Sequence, residues 1–117
     1  EDIINRGGAT MAIEMNGSAP DGSFDPDAGG TVLCDGIERQ FSAGEVLLFA
    51  PGESVTLMPG DWHKFWGEGG DVLIGEVSTV NNDDTDNWFR EPLGRFAAVD
   101  EDGAPTHRLV SDYGEWR

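Results

Sequence analysis

Turn-forming pairs interrupt this chain so often that no long helix fits between them. Asp35-Gly36, Ala43-Gly44, Pro51-Gly52 and Pro59-Gly60 are followed by the run "GEGGD" at 67–71. The breaks recur roughly every 8 to 12 residues, the rhythm of a β-sandwich or barrel. Short apolar runs lie between them: "TVLC", "EVLLFA", "VTLM", "WHKFW" and "VLIGEVS". No stretch keeps a helical period. Gly and Pro, at 17 and 6, fit an all-β chain of short strands. With 117 residues there is material for one domain, large enough to bury a core without disulfide or metal staples.

Residues 9–15, "ATMAIEM", alternate as a strand. The segment 16–30, "NGSAPDGSFDPDAGG", is Gly-, Pro- and Asp-rich and predicts a long loop. "TVLC", Asp35-Gly36 and "IERQF" predict a β-hairpin, because Asp-Gly between apolar runs suits a two-residue turn. "WHKFW" and "VLIGEVS" read as two strands separated by a turn at "GEGGD". Residues 1–78 would then form the barrel strands. Residues 79–117 would be an ordered, mostly irregular extension, pinned by Phe89, Leu93 and Phe96. Asp86 could cap a helical turn at 87–90.

The formal charge of −16 argues against a nucleic-acid partner and against an anionic membrane surface. No window is apolar enough to span a bilayer. The lone cysteine, Cys34, has no internal partner, which suits a reducing, cytoplasmic compartment. Cys34 reads as a small core residue. The chain opens on Glu1 rather than Met, and "EDIINRGG" does not look like a leader, so the start reads as a cut.

His63 is the first chemical candidate. On a strand it shares a face with Phe65, while Trp62, Lys64 and Trp66 take the other. If Lys64 faces water, His63 faces the interior and needs a partner, either a carboxylate or a metal ion. Taken alone, an interior histidine is more often a hydrogen-bonded core residue than a ligand. Glu76 is in phase with Val72, Ile74 and Ser78, so it points inward if that face is the inner one; it is a candidate base or substrate ligand. "NNDDTDN" reads by default as a solvated acidic turn. His107 reads as a surface residue. Trp62 and Trp66 suit exterior packing or an oligomer contact.

The string "PGESVTLMPGDWHKFWGEGGDVLIGEVSTVNNDDTDNWFREPLGRF", with "EDIINRGG" before it, resembles the D-lyxose isomerase family, sugar isomerases of the cupin superfamily. The likeness covers residues 1–13 and about 44–102. It implies a cupin-type double-stranded β-helix, or jelly-roll, lacking its N-terminal strands. It places Glu1 at the glutamate of the first cupin metal motif and His63 at the histidine of the second. The H-x-H pair of the first motif, and a lysine, would lie upstream of Glu1. The implied cofactor is Mn2+, with Co2+, Fe2+ or Zn2+ as chemically suitable substitutes. The implied reaction interconverts D-lyxose and D-xylulose, and D-mannose and D-fructose as well, through proton transfer between C1 and C2 or a hydride shift. Glu76 would be catalytic, and Asp86 and Arg95 would bind the sugar; Asp86 and Arg95 could equally pair with each other, and Glu91 is a weaker candidate. A homodimer is implied too. The other readings are a non-catalytic cupin that binds a sugar or small acid, and an inactive fragment of an isomerase.

Overall fold

The computed structural model describes residues 1–82, 86–91, 100, 102–104 and 106–107. Its regular structure is β only: β1 (Asp2–Asn16), β2 (Gly30–Cys34), β3 (Ile37–Phe41), β4 (Glu45–Phe49), β5 (Ser54–Thr56) and β6 (Trp62–Val77). Every pairing is antiparallel. β1 is the axis. One edge bonds β5 over Asp2–Ile4 and then β4 over Met11–Met15, and the other edge bonds β6. β5 continues the sheet to the β2–β3 hairpin. The result is a curled antiparallel sheet, a half-barrel of cupin type.

The hairpin forms as its turn chemistry dictates. Asp35 and Gly36 both have positive φ, 49° and 79°, as the favoured two-residue turn requires. Asp35 is also held from the side: its carboxylate accepts the Ser54 N–H at 2.9 Å and the Ser54 hydroxyl at 3.0 Å.

Two expectations need correction. The first strand does not begin near residue 9 but at Asp2, running through Gly7 and Gly8. And "GEGGD" is no chain reversal: β6 is one strand of 16 residues. The β1–β6 ladder absorbs the glycines through register shifts between Asn5 and Gly7 and between Gly8 and Thr10. At the second shift Gly8 pairs with Val72 and Thr10 with Glu68, so the β6 residues between them bulge out. Gly8 cannot be replaced freely there: its φ is +93°, and a Cβ would collide with the Asp71 carbonyl oxygen.

The bend is stapled by Asn5, which is fully buried. Its side-chain amide donates to the carbonyls of Ala9 (2.9 Å) and Phe49 (3.0 Å), and its oxygen accepts the Gly7 N–H at 3.0 Å. The amide is thereby well satisfied and ties the kink in β1 to the end of β4.

The core lies on the concave face. Ile3, Met11, Ile13 and Met15 of β1 pack with Val32, Phe41, Leu47, Phe49, Val55 and Leu57. Cys34 is half-buried against this cluster, as are Val72 and Ile74. His107 is exposed, as its sequence context predicts. No helix among the described residues is long and apolar enough to cross a membrane.

Candidate active site

The turn before β6 aims His63. Met58-Pro59-Gly60-Asp61 closes with an Asp61 N–H to Met58 carbonyl bond of 3.0 Å, and Gly60 supplies φ of +97°. This is the Pro-Gly arrangement of a type II turn. The Asp61 carboxylate accepts the Met58 N–H at 2.7 Å and locks the turn from below. His63 then falls opposite Met15 and Phe65 opposite Ile13, both fully buried, so His63 faces inward. Lys64 faces outward, pairing with Glu14 at 2.8 Å and lying over the Trp66 ring at 5.8 Å.

The His63 ring has a defined tautomer. Nδ1 lies 2.9 Å from the Asp61 carbonyl oxygen, which can only accept, so Nδ1 carries the hydrogen. Phe65 stacks against the ring at 6.3 Å with an interplanar angle of 11°. Nε2 therefore points at the remaining neighbour, Glu1, with its Oε1 3.3 Å away. Glu1 is positioned by its own backbone, which exchanges bonds with Leu57 at 2.9 and 2.7 Å just before the Pro-Gly turn.

Glu76 joins from the far end of β6. It lies opposite Ile3, a core residue, so it is on the concave side although exposed to solvent. Its carboxyl is raised above its ordinary value, first by desolvation, then by a hydrogen bond with Glu1 and by the Glu1 charge. Glu1, His63 and Glu76 thus form one cluster. His63 and Glu76 stand an odd number of residues apart on one strand, which would put them on opposite faces of a regular ladder. The irregular register at Glu68–Val72 restores them to the same side.

A cleft of about 770 Å³ opens beside Glu1 and His63. Asp86 lines it, so the structure brings three of the sequence-predicted site residues to one cavity. Asp86 does not cap a helix: its N–H donates to the Asn82 carbonyl at 2.9 Å and its carboxylate accepts the Asn82 N–H at 2.6 Å. No helix starts at 87–90. Phe89 is half-exposed and lines the cleft together with residues of the barrel strands. Glu91 is exposed and stands outside the cleft lining. Arg95, Leu93 and Phe96 lie outside the described residues.

The opposite wall comes from the loop at 17–29, which sequence reasoning treated only as a connection. The Ser18 hydroxyl donates to the Gly60 carbonyl at 2.7 Å and accepts from Trp62 Nε1 at 3.0 Å. Phe24 meets Trp62 edge-on at 5.6 Å and 83°. Trp62 is therefore a wall of the cleft, not an exterior packing residue. A phenylalanine inside an otherwise Gly-, Pro- and Asp-rich loop was the one available signal.

The donor set can be tested against a divalent ion. One imidazole nitrogen and one carboxylate oxygen converge at 3.3 Å, near the spacing of adjacent ligands on a first-row ion with bonds of about 2.1 Å. The carbonyl bond at Nδ1 is the usual outer support of a metal-bound histidine. The pair fits such an ion. It supplies two positions, and no group of three or more His, Cys, Asp or Glu side chains suited to a metal occurs among the described residues.

The family model described as D-lyxose isomerase matches residues 1–113. The chain belongs to the D-lyxose isomerase family. Within that family, it is 48% identical over 116 residues to a D-lyxose/D-mannose isomerase from Serratia proteamaculans, a match covering 97% of this chain and 50% of that protein. It is 45% identical over 120 residues to a D-lyxose/D-mannose isomerase from Escherichia coli O157:H7, covering all of this chain and 52% of that one. The chain spans about half the length of these curated family members.

Proposed function

We propose that this chain forms part of the active site of a metal-dependent aldose–ketose isomerase that interconverts D-lyxose and D-xylulose, and D-mannose and D-fructose. The convergence of Glu1, His63 and Glu76 beside a cleft carries the reading. Family membership and the names of the two relatives support the substrate class.

Glu1 and His63 would hold Mn2+, or Co2+, Fe2+ or Zn2+ in its place, through Oε1 and Nε2. The ion, when bound, polarises the sugar carbonyl and the neighbouring hydroxyl. His63 contributes a preset tautomer, since the Asp61 carbonyl occupies Nδ1 and leaves the Nε2 lone pair for the ion. Glu76 is the residue assigned to carry the proton between C1 and C2. A carboxylate so placed can take a proton and return it within one turnover. Asp86 lines the cleft within reach of sugar hydroxyls, and Arg95 is assigned to the same task. A homodimer working in the cytoplasm completes the proposal.

The test uses the polypeptide that carries this chain, with manganese and D-lyxose. D-xylulose should appear, and in D2O solvent deuterium should enter the product carbon chain. His63→Gln should lose manganese affinity, and Glu76→Gln should lower kcat by about 100-fold or more. Product without deuterium would replace proton transfer by a hydride shift. A second reading, a non-catalytic sugar-binding cupin, is favoured by the two-donor metal set; tight manganese binding without product would establish it in place of the isomerase.

A further inference from the structure

The cleft carries a large apolar surface that neither the metal pair nor the carboxylates use. Trp88 lines the cleft together with Glu1 and His63, yet 72% of it is open to solvent. An indole left this open normally gains by being covered. Its segment is held at the next residue but one, where the Arg90 guanidinium sits 4.6 Å from the centre of the Phe24 ring. Phe24 in turn stands edge-on to Trp62, and Trp62 is bonded through Ser18 to the Pro-Gly turn that aims His63. A continuous relay of contacts thus ties Arg90, two residues beyond Trp88, to the turn that aims the imidazole.

The rest of the rim matches one kind of ligand. Asp21 lines the same cleft from the 17–29 loop. Its carboxylate is kept ionised by the Ser23 hydroxyl at 2.6 Å and the Ser23 N–H at 3.0 Å, which hold it below its ordinary value. Asp86 presents a second acidic side chain. An uncovered aromatic ring bordered by hydrogen-bond acceptors is complementary to a polyol: C–H groups meet the ring face while hydroxyls donate to the carboxylates. It is poorly complementary to an anion, which the charge of −16 would repel.

We infer that Trp88 is a stacking platform for the C–H face of the sugar, and that the Arg90–Phe24–Trp62 relay positions it. The inference rests on the sugar-isomerase reading for its substrate class. It makes Trp88 a specificity residue: a sugar epimer that presents an axial hydroxyl to the ring loses the contact.

The experiment compares Trp88→Ala and Trp88→Phe with the unaltered polypeptide by two measurements. Steady-state kinetics with manganese and D-lyxose should show KM raised about 3- to 10-fold in Trp88→Ala, kcat lowered less than twofold, and most of the loss restored in Trp88→Phe. Saturation-transfer NMR without manganese should show D-lyxose C–H protons receiving magnetisation, lost in Trp88→Ala and retained in Trp88→Phe. Turnover with KM and NMR signals unchanged in Trp88→Ala overturns the platform and leaves the isomerase reading standing. No turnover in the unaltered protein, with Trp88-dependent transfer to the sugar, overturns the isomerase reading and keeps the platform. A KM change that tracks protein concentration and a shift in oligomeric state assigns Trp88 to a subunit contact and overturns the proposal.

Discussion

β1 and β6 are nearly equal in length, 15 and 16 residues, and are paired to each other along most of it, yet they live in opposite environments. β1 has strands on both edges and contributes Ile3, Asn5, Met11, Ala12, Ile13 and Met15 to the interior. β6 has no buried residue, and among the described residues its second edge has no strand partner. The residues proposed for the chemistry divide the other way. β6 carries His63 and Glu76, whereas β1 follows Glu1 and otherwise supplies structure. Stability is concentrated in the strand that carries little of the proposed chemistry, and the strand that carries His63 and Glu76 is left with freedom to be approached.

That contrast can be broken at its strongest point first. Ile13→Ala removes a fully buried side chain of β1 and should cost about 2–5 kcal/mol in chemical denaturation. Leu73→Ala, on the exposed side of β6 at 67% exposure, should cost under about 0.5 kcal/mol. Equal losses would abolish the distinction.

Asn5→Ala comes next. It strands the Phe49 carbonyl and the Gly7 N–H and loosens the bend, so a loss of about 2 kcal/mol or more is expected by the same denaturation. His63→Gln sharpens the contrast from the β6 side: stability should change by less than about 1 kcal/mol, since the ring is only partly buried, while manganese affinity falls at least tenfold.

Smaller effects are expected at the margins. Burial pushes the Cys34 thiol up, with Asp35 and Glu53 adding to the effect against Arg39. Iodoacetamide should therefore alkylate it more slowly than free cysteine at pH 8 and at a similar rate once the protein is unfolded. The smallest effect belongs to Asp21. Its folded pKa lies below the unfolded value of 3.8, so its contribution is present above that pH and is lost as pH falls through the folded value. Asp21→Asn should slightly flatten stability between pH 4 and pH 3, measured by thermal unfolding, with little change at pH 7.

The legible parts of this fold were those governed by local chemistry. Asp35-Gly36 could only be a tight turn, and "EVLLF" could only be a strand between two turn signals. The inward aim of His63 followed from Lys64 beside it. What stayed hidden depends on long-range pairing. Gly67, Gly69 and Gly70 look like a chain reversal, but β1 holds them in a continuous ladder through bulges that no local rule announces. The polar Asn5 and Arg6 and the pair Gly7-Gly8 masked the first half of β1 for the same reason. In the site, His63 and Glu76 were readable from their strands and Glu1 and Asp86 through the family resemblance, while the approach of His63 and Glu76 to Glu1 was not. Two lie on one strand at an odd separation, and only the bulge returns them to a shared side. The loop wall of Ser18 and Phe24 had no periodic signal at all.

The two shifts in the β1–β6 ladder also govern which mutations this lineage can accept. Adding or deleting a single residue at Arg6–Ala9 or Glu68–Asp71 would rotate half of the ribbon by one position, turning Ile3 and Glu76 outward together. The 17–29 loop has no long ladder to keep in step: it is closed on itself by a few backbone bonds, such as Gly17 N–H to the Ala28 carbonyl, and it meets the turn and the start of β6 through the side chains of Ser18 and Phe24. Insertions and deletions can therefore remodel that wall of the cleft while the ribbon keeps its length, so the shape of the cleft can drift long before the spacing of Glu1, His63 and Glu76 does.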